Sequence, residues 1–253
     1  MRSVEVPEVL RGVRAVVLDT DGVLVDSAGL HAAAWRQALD PCLTAAGQPP
    51  FDADVEYRRW VDGRSRLDGA AAALTGRGLR LPLGDVREPP GCGSVHAVAA
   101  AKEAAFVRAA AAGVTAWPGS LRLLRVLAGA RVPCAAVSAS RHASELLERA
   151  GLRPWLAELV DGAEAARLGL PGKPDPALFA EAARRLGVPA ADCAVVEDAR
   201  AGVEAGRRGG FGVVVGVDRS ASPAGAAALR AHGADVVVTD LGELAAEPGE
   251  EPP

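Results

Sequence analysis

Asp19 and Asp21 stand two residues apart at the end of an apolar run, residues 13–18, and Gly22 follows them at once. The run has the length and β-branched content of a buried strand, so both carboxylates sit at a strand mouth. There they repel each other, and one tends to take up a proton. A bound cation compensates this, and so does a proton-transfer role for one of the acids. Gly22 permits a sharp backbone turn directly after the pair. Taken alone, the stretch also reads as a strand followed by an acidic turn.

Further polar groups stand at other strand or loop ends: Ser138 after the apolar run 132–137, Lys173 before Pro174, and Glu197 with Asp198 after 193–196. In an open parallel sheet, ligands bind beyond the carboxyl ends of the strands, where these groups would converge. The set suits phosphoryl transfer. A carboxylate nucleophile forms a covalent intermediate. A cation shields it from the anionic phosphate, and lysine and hydroxyl groups bind the phosphoryl oxygens. A second carboxylate moves the proton. Magnesium matches an all-oxygen donor set. Singly, Ser138 is also a strand-end hydroxyl, Lys173 a loop lysine, and Glu197–Asp198 an acid pair at a helix N-terminus.

The elements that would position these groups alternate along the chain. Strands are expected at 13–18, 132–137, 159–161, 193–196, 212–217 and 235–239. Helices are expected at about 27–39, with Ser27 as cap, and at 55–61, 66–74, 95–112, 118–129, 141–150, 176–186 and 199–208. Residues 40–54 and 75–94 are rich in Gly and Pro and read as loops. Strands that alternate with helices argue for a parallel sheet covered on both faces. The expected division is a discontinuous α/β core at 13–28 and 113–246, a helical insertion at 29–112, and flexible ends at 1–12 and 247–253. Gly202 and Gly206 imply close approach of a helix to its sheet.

With 253 residues, 49% hydrophobic and 24% charged, the chain can bury an ordinary core. A net charge of -4 and scattered arginines argue against a nucleic-acid partner. The four cysteines, at 42, 92, 134 and 193, form no Cys-x-x-Cys pair and give no metal site; Cys134 and Cys193 read as buried free thiols. An acidic N-terminus without an apolar segment, and the absence of a long apolar stretch, lead to a cytoplasmic expectation with no membrane partner.

In this order the motifs resemble the haloacid dehalogenase (HAD) superfamily, and within it the β-phosphoglucomutase-like branch. The matching segments are Asp19-Thr20-Asp21-Gly22-Val23-Leu24, Val137-Ser138-Ala139-Ser140, Gly172-Lys173-Pro174-Asp175-Pro176 and Val196-Glu197-Asp198-Ala199. The resemblance implies an α/β fold, a Rossmann-like HAD core with a parallel sheet and an inserted all-helical cap domain. It implies Asp19 as nucleophile, Asp21 as general acid/base, and Ser138 and Lys173 as holders of the phosphoryl group. Mg2+ would take Asp19, the carbonyl of Asp21 and Asp198, with Glu197 close by. For substrate binding it implies His31, as a hinge-region group near Asp21, then Arg66 or its neighbour Arg64, Lys102, Ser140 and Arg141. His142 replaces a usual Asn, alanines at 99–101 replace polar neighbours of Lys102, and 84–94 is irregular for the branch.

The expected activity is magnesium-dependent phosphoryl transfer through an aspartyl-phosphate, in a sugar phosphomutase converting β-glucose 1-phosphate to glucose 6-phosphate. The alternatives are a phosphatase acting on a small phosphosugar or other phosphomonoester, and a non-catalytic phosphosugar-binding module. Intact Asp19 and Asp21 argue against the last, since binding alone needs no nucleophile.

Overall fold

The structure, a computed structural model, describes residues 7–111 and 113–245. Strand β1 (Ala15–Asp19) is followed by α1 (Ala28–Ala45), α2 (Arg66–Gly76) and α3 (Val95–Ala110). The chain then runs through α4 (Pro118–Gly129), β2 (Cys134–Val137), α5 (Ala143–Arg149), β3 (Glu158–Val160), α6 (Gly162–Leu168) and α7 (Ala177–Leu186). It ends with β4 (Cys193–Glu197), α8 (Arg200–Arg208), β5 (Val213–Val217), α9 (Pro223–Ala231) and β6 (Val236–Val238). Two compact units result, Met1–Asp26 with Thr115–Pro253, and Ser27–Val114. No described helix is long and apolar enough to cross a membrane.

In the first unit all six strands are parallel, in the order β3-β2-β1-β4-β5-β6. Every residue of β1, β2 and β4 is buried, which is why these strands read as continuous apolar runs instead of alternating ones. Ala15 and Val17 pack with Leu178, Phe179 and Ala182 of α7 and Val203 of α8. Val16 and Leu18, also fully buried, face the other way by the two-residue period of a strand. Gly206 of α8 would place a Cβ 3.2 Å from Val195, the close approach that the glycine spacing implied.

The second unit has its own apolar core, built from Trp35, Leu39, Leu43, Phe51, Val61, Leu74 and Val98 among others. Arg77 ties its irregular parts together. It grips Glu56 with Nε and Nη2, at 2.6 and 2.7 Å, and donates to the carbonyls of Pro49 and Pro50. A disulfide joins Cys42 on α1 to Cys92, and the two free cysteines, Cys134 and Cys193, are buried.

Several sequence expectations need correction. Helix α1 does not stop at residue 39 but continues through Pro41 to Ala45. A proline inside a helix costs about 3 kcal/mol; burial of Leu39 before it and of Cys42 and Leu43 beyond it, on the face that carries the cross-link, offsets that cost. Ser27 stands at the N-cap position of α1, yet its side chain makes no capping bond. Residues 57–61 form a wider turn than an α-helix, closed by Asp62 N–H on the carbonyl of Tyr57 at 3.0 Å. Helices α6 and α9 were not expected. None of the residues of α6 is buried and only Leu229 of α9 is, so neither carries an apolar period to read. Leu10, in a helical turn Glu8–Leu10, is fully buried, so this part of the expected flexible end is anchored. The rest of that expectation, for 1–6 and 247–253, lies outside the described residues, as does Ala112.

The thiols give a direct check. Burial pushes Cys134 up to about 12 and Cys193 up to about 11, so both stay protonated and inert near neutral pH. Titration with a thiol reagent should find no reactive thiol in the native protein, two after unfolding without reductant, and four after unfolding with it. Four thiols in the unfolded, unreduced protein would contradict the Cys42–Cys92 bond.

Candidate active site

The sheet order reverses at β1, whose neighbours β2 and β4 lead outward in opposite directions. The mouth of such a switch point is where an open α/β sheet receives ligands. Asp19 is the last residue of β1 and Glu197 the last of β4, while Ser138 follows β2 directly. Lys173 arrives from the loop between α6 and α7, and its ammonium bonds Asp19 Oδ1 and, at 2.7 Å, Glu197 Oε1. All three side chains are buried. The other oxygen of Glu197 accepts from the backbone N–H groups of Asp198, at 2.6 Å, and Ala199, at 3.1 Å. Gly202 makes room for this carboxylate: a Cβ there would lie 1.6 Å from Glu197 Oε1.

One ammonium between two buried carboxylates leaves a negative charge over. Burial pushes the Asp19 carboxyl well above its usual range, and repulsion from Glu197 and Asp21 adds to this, while Lys173 opposes it. For Lys173, burial alone would lower the pKa, but the attraction of Asp19 and Glu197 outweighs burial and holds the ammonium charged. Both groups rise although they attract each other, because Lys173 faces two acids and Asp19 must share one cation.

Asp21 turns the other way. Its Oδ2 accepts from Ser138 Oγ at 2.9 Å, and Ser138 Oγ in turn accepts from Ser140 N–H at 3.0 Å. Ser140 Oγ accepts from His142 N–H at 3.2 Å, so 138–142 curls into a loop ahead of α5. Arg141 is exposed on that loop. Gly22 has φ +78, and a Cβ there would sit 1.9 Å from Asp198 Oδ2, so only glycine fits between the turn and this carboxylate.

Carboxylate oxygens of Asp19, Glu197 and Asp198 lie within 4.8 Å of one another. The donors are all oxygen, and the buried site carries surplus negative charge, both of which fit a small hard cation such as Mg2+. Since one Glu197 oxygen is taken by two backbone N–H groups and the other by Lys173, Asp19 and Asp198 are the better direct ligands. The carboxylate of Asp21 is outside this cluster.

The remaining expected residues belong to the helical unit. His31 and Lys102 come together, Nδ1 to Nζ at 2.9 Å, and both are buried. The His31 ring stacks on Phe106 at 4.1 Å, and the Lys102 ammonium lies 4.6 Å from the Phe106 ring and 5.8 Å from Trp35. Arg66 is paired with Glu103, a partner that the sequence gave no sign of, and Arg64 is exposed.

The family model described as "haloacid dehalogenase-like hydrolase" matches residues 13–210, the span that holds every one of these site groups. The chain belongs to this family. Within the HAD superfamily it falls in the β-phosphoglucomutase-like branch. It is 39% identical over 239 residues to the β-phosphoglucomutase of Mycobacterium bovis, covering 92% of this chain and 91% of that one. The β-phosphoglucomutase of Bacillus subtilis is 30% identical, with 92% of each covered. Among solved structures, a HAD family hydrolase from Deinococcus radiodurans, determined with bound phosphate and sodium, superposes with TM-score 0.64 at 33% identity, over 92% of this chain and 93% of that chain.

Two substitutions probe this HAD site. Asp19→Asn should fold and lose all turnover. Because the folded-state carboxyl of Asp19 titrates above its unfolded value, wild-type stability falls as pH rises from about 4 through that window. Asn has no such loss, so in chelator the urea midpoint of Asp19→Asn should gain on wild type as pH rises; a gap that narrows would contradict the assigned shift. Added Mg2+ should raise the thermal midpoint of wild type, by about 2.7 kcal/mol of stabilisation at a hundredfold excess over its dissociation constant. Asp198→Asn should remove most of that rise.

Proposed function

We propose that this HAD protein is a magnesium-dependent phosphosugar mutase that passes a phosphoryl group through Asp19. The observation that carries the reading is the pairing of a buried carboxylate clamped by Lys173 with a second carboxylate, Asp21, two residues on and separately held by Ser138. Phosphate binding alone would need neither acid. The mycobacterial relative at 39% identity, named a β-phosphoglucomutase, supports glucose phosphates as first substrates to test. Handling such metabolites also supports the cytoplasm as the protein's place.

In the proposed reaction a carboxylate oxygen of Asp19 attacks phosphorus, and the bond from phosphorus to the sugar oxygen breaks. Asp21 delivers a proton to that leaving oxygen and later takes one from the attacking hydroxyl. Lys173 and Ser138, with Ser140 and Arg141 on the following loop, hold the phosphoryl oxygens. A cation held by Asp19 and Asp198, with the Asp21 carbonyl, would screen nucleophile and phosphoryl group from each other. Arg66 is assigned to the phosphate that does not react, with Arg64 as the second candidate, Lys102 to substrate binding, and His31 to the control of Asp21. Binding would exchange the Glu103 carboxylate on Arg66 for a phosphate.

The test is incubation with β-glucose 1-phosphate, Mg2+ and a trace of glucose 1,6-bisphosphate, while glucose 6-phosphate and free phosphate are followed together. Glucose 6-phosphate should form with little free phosphate. Release of phosphate alone, across a panel of phosphosugars, would replace the mutase by a phosphatase. Arg66→Ala should lower mutase flux about 10- to 100-fold, the worth of a lost charge-assisted contact. Hydrolysis of an aryl phosphate, which has no second phosphate to hold, should change little.

A further inference from the structure

The turn that carries Asp21 is held from the loop that follows β5. Arg219, two residues past β5, donates from Nε to the carbonyl of Gly22 at 2.8 Å and from Nη2 to the carbonyl of Val23 at 3.0 Å. Its third nitrogen is anchored on Asp240 Oδ2 at 2.7 Å and the Thr239 carbonyl at 3.1 Å. The guanidinium lies over the Trp117 ring at 4.1 Å. The backbone N–H of Trp117 donates to the carbonyl of Leu24 at 3.1 Å, and Ser120 Oγ donates to that of Val23 at 2.8 Å. Three successive carbonyls, at 22, 23 and 24, are thus held from outside the turn. Inside it, Leu24 and Val25 N–H both reach the carbonyl of Thr20 at 3.0 Å.

Such a grip has a mechanical purpose at this position. Gly22 is the most permissive residue of the turn, with φ +78, and rotation about it would swing the Asp21 carboxylate. A guanidinium offers a rigid fork that spans two adjacent carbonyls, which a lysine ammonium cannot reproduce. We infer that Arg219 is a positioning residue for Asp21: by holding the Gly22 and Val23 carbonyls, it fixes the direction in which the acid/base group points. The inference rests on the phosphotransfer reading of Asp21, and a second readout separates the two.

The first arm is a double-mutant cycle on a phosphosugar substrate. Arg219→Ala should lower kcat by up to about 100-fold, the scale of a small misplacement in a catalytic site, with KM little changed. Arg219→Lys should fall between Arg219→Ala and wild type. In an Asp21→Asn background, Arg219→Ala should cost almost nothing more, because the group it positions is already disabled. An equal loss in both backgrounds would make Arg219 a structural residue only, and no loss in either would leave it without a role; each result overturns the proposal. The second arm is hydrogen exchange in Arg219→Lys, which keeps the charge and most of the packing. The amides of Leu24 and Val25 should exchange faster while the sheet core keeps its protection, and unchanged exchange overturns the clamp. If wild type transfers phosphate from no substrate, the phosphotransfer reading fails, and this exchange arm still decides whether Arg219 orders the turn.

Discussion

The buried ammonium of Lys173, bonded to Asp19 and Glu197, is the interaction on which the rest of the site depends. Removing one member of such a buried ionic group costs about 3–5 kcal/mol, because the others are left unpaired in a medium that cannot solvate them. The arrangement holds only because each member has further support. Glu197 is fixed by two backbone N–H groups ahead of α8 and by the missing side chain at Gly202. Asp19 is the member left under-compensated, and burial raises its pKa for that reason. The strands therefore deliver to one sheet edge a negative surplus that a bound divalent cation would relieve. Under the proposed function, the same edge would then accept an anionic phosphoryl group beside a carboxylate, an approach that repulsion would otherwise forbid.

The two units meet different demands. The parallel sheet buries its strands on both faces and leaves its carboxyl edge for chemistry. The helical unit has a smaller core, and it adds a cross-link and the Arg77–Glu56 grip to hold its loops. Within it, the Lys102 ammonium is buried against an imidazole nitrogen of His31 and the ring faces of Phe106 and Trp35.

Much of this was legible in the sequence where a pattern ended abruptly. The mouths of β1, β2 and β4 showed because fully buried strands read as apolar runs, and a polar residue directly after such a run stands out. The glycine spacing at 202 and 206 signalled close packing, though not that the packed group would be Glu197. What stayed hidden lacked a local signal. Helices α6 and α9 bury almost nothing, so they have no period. Pro41 argued for a break that burial on the far side overrode. The Cys42–Cys92 bond joins residues 50 apart, between which nothing in the spacing selects a pairing. Glu103 beside Lys102 looked like any solvated helix acid, and Arg219 looked like any loop arginine until the sheet order brought it to the first turn.

The distances along the chain between these partners have a kinetic meaning. Lys173 lies 154 residues from Asp19, Ser138 lies 117 from Asp21, and Arg219 lies 197 from Gly22. No segment shorter than most of the chain contains a complete site, and these three contacts each close a long loop. Long-range pairings of parallel strands pay their loop-closure entropy before they are rewarded, so they form slowly. Secondary structure and the local core of the helical unit can therefore precede the catalytic edge, which exists only when first and last strands have found their places. Regain of activity reports completion of the entire sheet, and a truncation at either end of it removes the chemistry before it removes the helices.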